Sequence, residues 1–370
     1  MMALLAWVAA LLALVALLRV LYARPPQVQL TRTYPPAAFE GDRVPLTVTI
    51  RVHARLPTRV LIEDPTPRTV VPDAQLTLGG LVFGRLALTH AATLTPQRRG
   101  VHAWSGSTLA WADPLGLFWH RAPLTVPDAL EVYPGTHGLV LPDLLRPLLS
   151  EGSLARTVGL DDPISLRGAR PYVPGDPPAR LHWRLTARMG TPMVREVERT
   201  AASRVTVHVD ARGTDEYVEA AARLAASLTR EALELQVPVV VSDAEGRSLG
   251  GRTPEALRSA LSRLARLHAQ PDAPARIPEP EPGGNLIVIT QRAGAAFLAS
   301  ALAARAYARR VVVIVLPEGF YLEPGEVGRP IRFAPPDAVR DLERQAGVLE
   351  EAGVLLYVLR GNSSVLRLGA

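Results

Sequence analysis

Two groups of residues in this chain have types and spacings that could do chemistry. In the first, Arg180, Arg184 and Arg188 recur every four residues, so a helix carrying them puts three guanidinium groups on one face. Carboxylate pairs stand nearby, at Asp161-Asp162 and at Glu196/Glu198. Paired carboxylates suit general acid–base work only when one is held protonated, and neighbouring arginines lower both pKa values. They read as ion-pair partners of the arginines, since Arg/Glu lattices serve structure more often than chemistry. In the second group, apolar runs end at Asp210, at Ser242-Asp243 and at Thr290. If those runs are strands of a parallel sheet, these residues sit where such sheets bind ligands, beyond the carboxyl ends of the strands.

Other chemistries are excluded by type or spacing. No glycine-rich phosphate loop follows the Val205–Val209 run, which argues against a nucleotide site. The eight His residues include no pair at i,i+4 and none at zinc spacing, and no Gly-x-Ser-x-Gly elbow occurs. With no Cys there is neither a disulfide framework nor a thiolate site. Among 370 residues the 41 basic ones are all Arg, against 35 acidic ones. The resulting charge of +6 is spread along the chain, with aromatic content of only 5%. That distribution argues against a nucleic-acid tract and is compatible with an anionic membrane surface.

The arginine group needs a helix to position it. Pro174-Gly175 is turn chemistry, Asp176 suits an N-cap and Pro177 the first helical position, which predicts a helix from about Pro177 to Arg188. Leu181 and Leu185 form an apolar ridge on it, and the Trp183 indole needs a partner if buried. A strand over Met193–Glu198 follows. The expectation is that the three arginines bind Glu196, Glu198 or Asp161/Asp162 and lock the flanking domains together.

Residues 1–24 read as a transmembrane anchor: Met1–Leu18 is uncharged and the apolar run continues past Arg19 to Ala23. A cleaved signal peptide fits less well, because no positive charge precedes the run and no small-x-small site follows it. Arg19, Arg24 and Arg32 come after the span, which puts the bulk of the chain in the cytoplasm, at the inner (plasma) membrane. Residues 25–134 switch to period two, with about seven short strands: one at Val44–Val52, then Arg59–Ile62, Gln75–Leu78, Arg85–Leu94, Val101–Trp104, Thr108–Trp111 and Leu130–Tyr133. That count suits an immunoglobulin-like β-sandwich. Residues 135–200 hold a linker, with a short helix near Pro142–Ser150, and then the arginine module. From 201 to 370 apolar strands alternate with helices, which implies an α/β domain with a doubly wound parallel sheet.

The run Tyr172, Pro174, Gly175, Asp176, Arg180, Trp183, Arg184, Ala187, Arg188, Arg195 and Glu196 resembles the signature of the bacterial family catalogued as domain of unknown function 58. His182 stands where that family usually has Asp, and Pro177 where an acidic residue is common. Arg98-Arg99-Gly100 and Asp113-Pro114-Leu115-Gly116-Leu117-Phe118 extend the resemblance, although as physics both are turns. The resemblance implies a von Willebrand A-like second half, whose Asp-x-Ser-x-Ser metal motif corresponds here to Asp210, Arg212 and Thr214. A hard cation wants oxygen ligands, so Arg212 would pair with Asp210 in the ion's stead and leave a degenerate site without metal or cofactor. It also implies a MoxR-type AAA+ ATPase as partner, in envelope protein assembly or remodelling. The family usually has two spans at this end, and a second one upstream gives the same cytoplasmic placement. The expected function is a membrane-anchored interaction protein rather than an enzyme. The alternative is a hydrolase or transferase acting on an anionic substrate at the arginine module.

Overall fold

The computed structural model of the chain describes residues 2–135, 166–173, 181–197, 204–273, 277, 284–308, 310–317, 337–360 and 364–368. Its contacts divide it into two units, Met1–Gly135 and Thr136–Ala370. The expected helix at Pro142–Ser150, the carboxylates Asp161, Asp162 and Glu198, and the stretch 174–180 with Asp176 and Arg180 lie outside the described residues.

The first unit opens with helix α1 (Met2–Leu21). Its window Leu4–Leu21 has a mean hydropathy of 2.6 and none of it is buried, so α1 is long and apolar enough to cross a membrane. Nine strands follow: β1 (Gln27–Thr33), β2 (Ala37–Phe39), β3 (Val44–Glu63), β4 (Val70–Pro72), β5 (Thr77–Pro96), β6 (Gly100–Ala103), β7 (Thr108–Ala112), β8 (His120–Pro123) and β9 (Ala129–Tyr133). One sheet runs β4-β5-β3-β7-β8 with β1 added on β3, and a smaller one runs β2-β9-β6. Inward residues of both, such as Val48, Ile50, Ile62 and Leu94 from the first and Leu130 and Val132 from the second, form one core.

Two pairs of expected short strands are in fact single long ones. β3 joins Val44–Val52 to Arg59–Ile62, and β5 joins Thr77-Leu78, the end of the expected Gln75–Leu78 strand, to Arg85–Leu94. Pro57 and Gly84 read as breaks because one lacks an N–H and the other adopts a φ of 75°. The ribbon absorbs both in a bulge, where the register shifts between Ala54 and Thr58.

One core position of β1 carries a charge. Arg32 donates from Nε (2.9 Å) and Nη2 (2.7 Å) to the two carboxylate oxygens of Asp64, and both side chains are 0% exposed. Nη2 also reaches the Ser107 hydroxyl and Nη1 the Val126 carbonyl, while the guanidinium lies over the Trp104 ring. Asp113 is likewise buried, and its carboxylate accepts the N–H groups of Leu115, Leu117 and Phe118, which makes the turn expected there.

In the second unit β10 (Leu166–Pro171) pairs with β11 (Met193–Val197), and helix α2 (Trp183–Met189) lies between them in sequence. A seven-stranded sheet follows. Five parallel strands occupy its middle: β12 (Val205–Val209), β13 (Val239–Asp243), β15 (Asn285–Thr290), β16 (Arg310–Val315) and β17 (Val354–Arg360). Antiparallel β14 (Gly246–Arg247) and β18 (Ser364–Leu368) form its edges, and the order is β14-β13-β12-β15-β16-β17-β18. β12, β13 and β15 are buried at every position, because helices cover both faces. α5 (Ala295–Ala304) and α6 (Asp337–Glu351) share a core with alternate residues of β15–β17. α3 (Asp215–Glu234) packs with α4 (Pro254–Arg266) against β12 and β13. The parallel order 2-1-3-4-5 reverses direction between β12 and β15, which places a crevice at their carboxyl ends.

The Arg32–Asp64 pair makes a testable demand on the first unit. Asp64→Ala takes from a buried guanidinium its bidentate partner and leaves, among the described residues, only the Asp128 carboxylate, 3.8 Å from Nη1. It should cost about 3–5 kcal/mol in thermal or denaturant unfolding. Replacing both partners, as Arg32→Met with Asp64→Leu, should recover most of that loss.

Candidate functional site

At the β12/β15 crevice the chain builds its site around one carboxylate. Asp210 directly follows β12, and its N–H donates to the Ile289 carbonyl of β15, so the backbone fixes its position. Arg212, two residues on, forks onto it: Nε donates to Oδ1 at 2.8 Å and Nη2 to Oδ2 at 2.7 Å. The Arg212 backbone N–H reaches Oδ1 at 3.2 Å, and the Thr290 hydroxyl, at the end of β15, donates to Oδ2 at 2.7 Å. An ionised carboxylate has about four lone-pair sites, and here four donors take them. The hydrogen bond to Asp210 raises the Arg212 pKa further, against the pull of its partial burial. The guanidinium also lies over the Phe297 ring of α5.

Thr214 has a different employment from the one its correspondence to a metal ligand implies. It is the N-cap of α3, where its hydroxyl oxygen accepts the Tyr217 N–H, and its own N–H donates to the Gln291 side chain. Tyr217 is buried and its hydroxyl lies between the carbonyls of Asp210 and Ile289, tying α3 to both strand ends. Gly213 is required here: a Cβ would come within 2.4 Å of the Tyr217 ring and 2.6 Å of Gln291 Oε1.

Of the four strand-end residues, Asp210 and Thr290 meet and the other two do not join them. Ser242 is buried against His208 of β12, its hydroxyl 3.1 Å from Nδ1. Burial pushes the His208 pKa down to about 4, with the charge of Asp210 the largest opposing pull. Asp243 closes the turn into β14 by accepting the N–H groups of Glu245 and Gly246, and it faces Arg263 at 3.5 Å. A shallow depression beside it is lined by Glu245, Arg263, Arg266, His268 and Gln270. Among the described residues no group of three or more His, Asp or Glu is placed to hold a metal ion. Tyr217, Gln291 and His208 were not among the residues singled out from the sequence; the buried polar His208 inside an apolar strand was the one available signal.

The signature module departs from the expectation. The described helix runs Trp183–Met189 and its N-cap is His182, whose Nδ1 accepts the Leu185 N–H, while Leu181 before it bridges to Val194, so one unbroken helix does not reach back past His182. His182 thus does what an Asp at that position would do. Gly190 ends the helix in the left-handed conformation (φ 67°), and the Thr186 hydroxyl receives the Met193 N–H, which ties α2 to β11. No residue of α2 is buried. Trp183 is 68% exposed, and Arg184, Ala187, Arg188 and Tyr172 are exposed too, so the indole is not one of the buried groups that need a partner within the fold. The backbones of Arg195 and Glu196 lie in β11, while their side chains fall outside the described set.

Two measurements test the site. His208 stays neutral in the folded state at pH values where the unfolded chain, with a pKa near 6.5, takes up a proton. Its contribution to stability is therefore full above about pH 6.5 and lost as pH falls toward 4, on the order of 3 kcal/mol in all. The wild type should lose melting temperature over that window more steeply than His208→Asn. Separately, Mg²⁺, Mn²⁺ or Ca²⁺ should leave the melting temperature unchanged, whereas Arg212→Ser, which frees two of the four lone pairs, should make it rise with added ion.

No curated protein matches the chain. Among solved structures, it is similar to the PapD-like domain 7 of human CEP192, with 12% identity and a TM-score of 0.21 over 28% of this chain and 82% of that one. It is also similar to the ApaA protein from Bordetella pertussis, with 15% identity and a TM-score of 0.19 over 29% and 94% of the two chains. A β-glucosidase from Listeria innocua shares 13% identity, with a TM-score of 0.14 over 29% of this chain and 16% of that one. Residues 168–311, from the signature through the Asp210 site to the start of β16, match the family model described as "Protein of unknown function DUF58".

Proposed function

We propose that this chain is a membrane-anchored interaction protein and not an enzyme. In this reading α1 holds an immunoglobulin-like sandwich and a von Willebrand A-like domain on the cytoplasmic side of the inner membrane. There they work with a MoxR-type AAA+ ATPase in assembling or remodelling envelope proteins. The partner and the setting come from the family resemblance. The observation that carries the reading is the saturation of Asp210: a carboxylate with four donors offers no lone pair to a metal ion or to a substrate proton.

The exposed signature supports docking. Trp and Arg are the residue types that dominate binding energy at protein interfaces, and Trp183, Arg184 and Arg188 all stand open on one short helix. The same arginines would suit the alternative, an anionic substrate met by a hydrolase or transferase. That reading needs a nucleophile or base beside them. Of the described candidates, His182 Nδ1 takes the Leu185 N–H and the Thr186 oxygen takes the Met193 N–H.

Capture of the ATPase by the full chain separates the two readings. Trp183→Ala should leave the melting temperature nearly unchanged, since an exposed side chain contributes within about 0.5 kcal/mol. As an interface anchor worth about 2 kcal/mol it should weaken capture roughly 30-fold. Normal capture by Trp183→Ala and by Arg184→Glu/Arg188→Glu would rule out this helix as the docking surface. A hydrolytic activity lost in those variants would favour the enzyme instead.

A further inference from the structure

Where α1 leaves the sandwich, the first unit exposes an apolar patch that its own core does not use. Tyr22, directly after α1, is buried; its hydroxyl donates to the Pro57 carbonyl (2.9 Å) and its carbonyl accepts the Trp111 indole N–H (2.8 Å). The helix end is thereby fixed to the bulge of the β3–β5 ribbon. At that bulge Arg55, Leu56 and Pro57 lie between the register pairs Ala54↔Gly84 and Thr58↔Val82, so three residues oppose Phe83 alone. The bulge pushes side chains outward: Phe83 is 74% exposed, with Leu56 and Leu81 exposed beside it. The turn after β7 reaches the same place, because Ala112 pairs with Arg59 and Arg59 Nε donates to the Pro114 carbonyl at 2.7 Å. That turn adds Leu115, 73% exposed, together with Leu117 and Trp119.

The charge around these six side chains has one sign. Exposed Arg55, Arg59, Arg85 and Arg121 stand among them, with Arg19 in the last turn of α1 and Arg24 three residues beyond its end. Segments 51–59, 81–85 and 114–121 contain no Asp or Glu, and the carboxylate of Asp113 is buried under three backbone N–H groups. Leucine and aromatic side chains rimmed by arginine are what the interface of an anionic bilayer accepts: the rings and leucines enter between headgroups and the guanidiniums meet phosphates. A helix that crosses the bilayer and ends at this patch would bring it to headgroup depth without any further binding step.

We propose that this end of the sandwich lies against the anionic headgroup surface of the membrane that α1 crosses, with Leu56, Leu81, Phe83, Leu115, Leu117 and Trp119 seated in it. The sandwich is then held at a fixed tilt by two attachments, the anchor and the patch. This rests on α1 being an anchor, and the test keeps the two claims apart.

The chain has no Cys, so single-cysteine variants of the full-length protein can carry a polarity-sensitive fluorophore. Leu12→Cys reports the anchor and Phe83→Cys and Leu117→Cys report the patch. Ala74→Cys is the control; it is exposed beside Asp73, whose N–H pairs with Thr93 far along the ribbon. In vesicles of phosphatidylcholine with phosphatidylglycerol, lipids spin-labelled near the headgroup should quench the labels at 83 and 117 but not at 74. A quencher deep in the chain region should reach 12. In phosphatidylcholine alone, quenching at 83 and 117 should weaken. Quenching at 12 with none at 83 and 117 overturns the docking and keeps the anchor, whereas no quenching at 12 overturns both. Labels at 83 and 117 that are shielded from aqueous iodide yet silent to lipid would assign the patch to protein, a second copy included, and also overturn the proposal.

Discussion

The second unit depends on what happens to one carboxylate. Asp210 stands at the point where the strand order of the sheet reverses, and a polar group there is either a ligand site or a liability. Arg212 and Thr290 fill its lone pairs from two sides, one from its own loop and one from the neighbouring strand. The consequence spreads outward: with Asp210 fixed, Tyr217 can reach the Asp210 and Ile289 carbonyls, Thr214 can cap α3, and Gln291 can receive the Thr214 N–H. The loop after β12 thereby ties two strand ends and α3 together.

The first unit solves a similar problem with the same chemistry. Arg32 occupies an inward position of β1 and forks onto Asp64, with Ser107 donating its hydroxyl to the same carboxylate. A chain whose basic residues are all Arg can do this twice, because the planar guanidinium presents two parallel donors to a carboxylate where an ammonium presents a point charge. Around Arg32 the aromatics complete the packing: Trp104 lies under the guanidinium and stacks on Tyr34, which donates to Asp128. Buried pairs of this kind specify a geometry more than they stabilise it, since their attraction is offset by the desolvation of both ions.

Against these closed charge pairs, the places that stay open stand out. The signature helix shows Trp183 and two arginines to solvent, and the end of the sandwich shows Phe83, Leu115 and their neighbours. A folded domain rarely leaves apolar side chains of this size clustered on its surface without a partner. In the reading proposed above the two open surfaces have separate occupants, a protein for the helix and a bilayer for the sandwich end.

Much of the architecture was legible in the sequence because burial imposes a period. Apolar runs such as Val205–Val209 and Leu286–Thr290 announced strands covered on both faces, and the observed β12 and β15 agree within one residue. The uncharged start announced α1, and the pairing of Arg212 with Asp210 was expected from the family resemblance, in which Arg212 stands where a metal motif has Ser. Tertiary structure decided the rest, wherever the deciding partner is remote in sequence. Thr290 is 80 residues from the carboxylate it completes, and Ser242 is 34 from the His208 it faces, so neither contact has a local signature. Pro57 and Gly84 mark breaks by their own backbone preferences, yet pairing along 20-residue strands carries the ribbon past them. Trp183 is of a type often found in cores, yet it stands exposed on α2, a helix with no buried residue. Local chemistry determined which elements form, and long-range contact determined which of their polar and aromatic side chains are used up in holding the fold and which remain for partners.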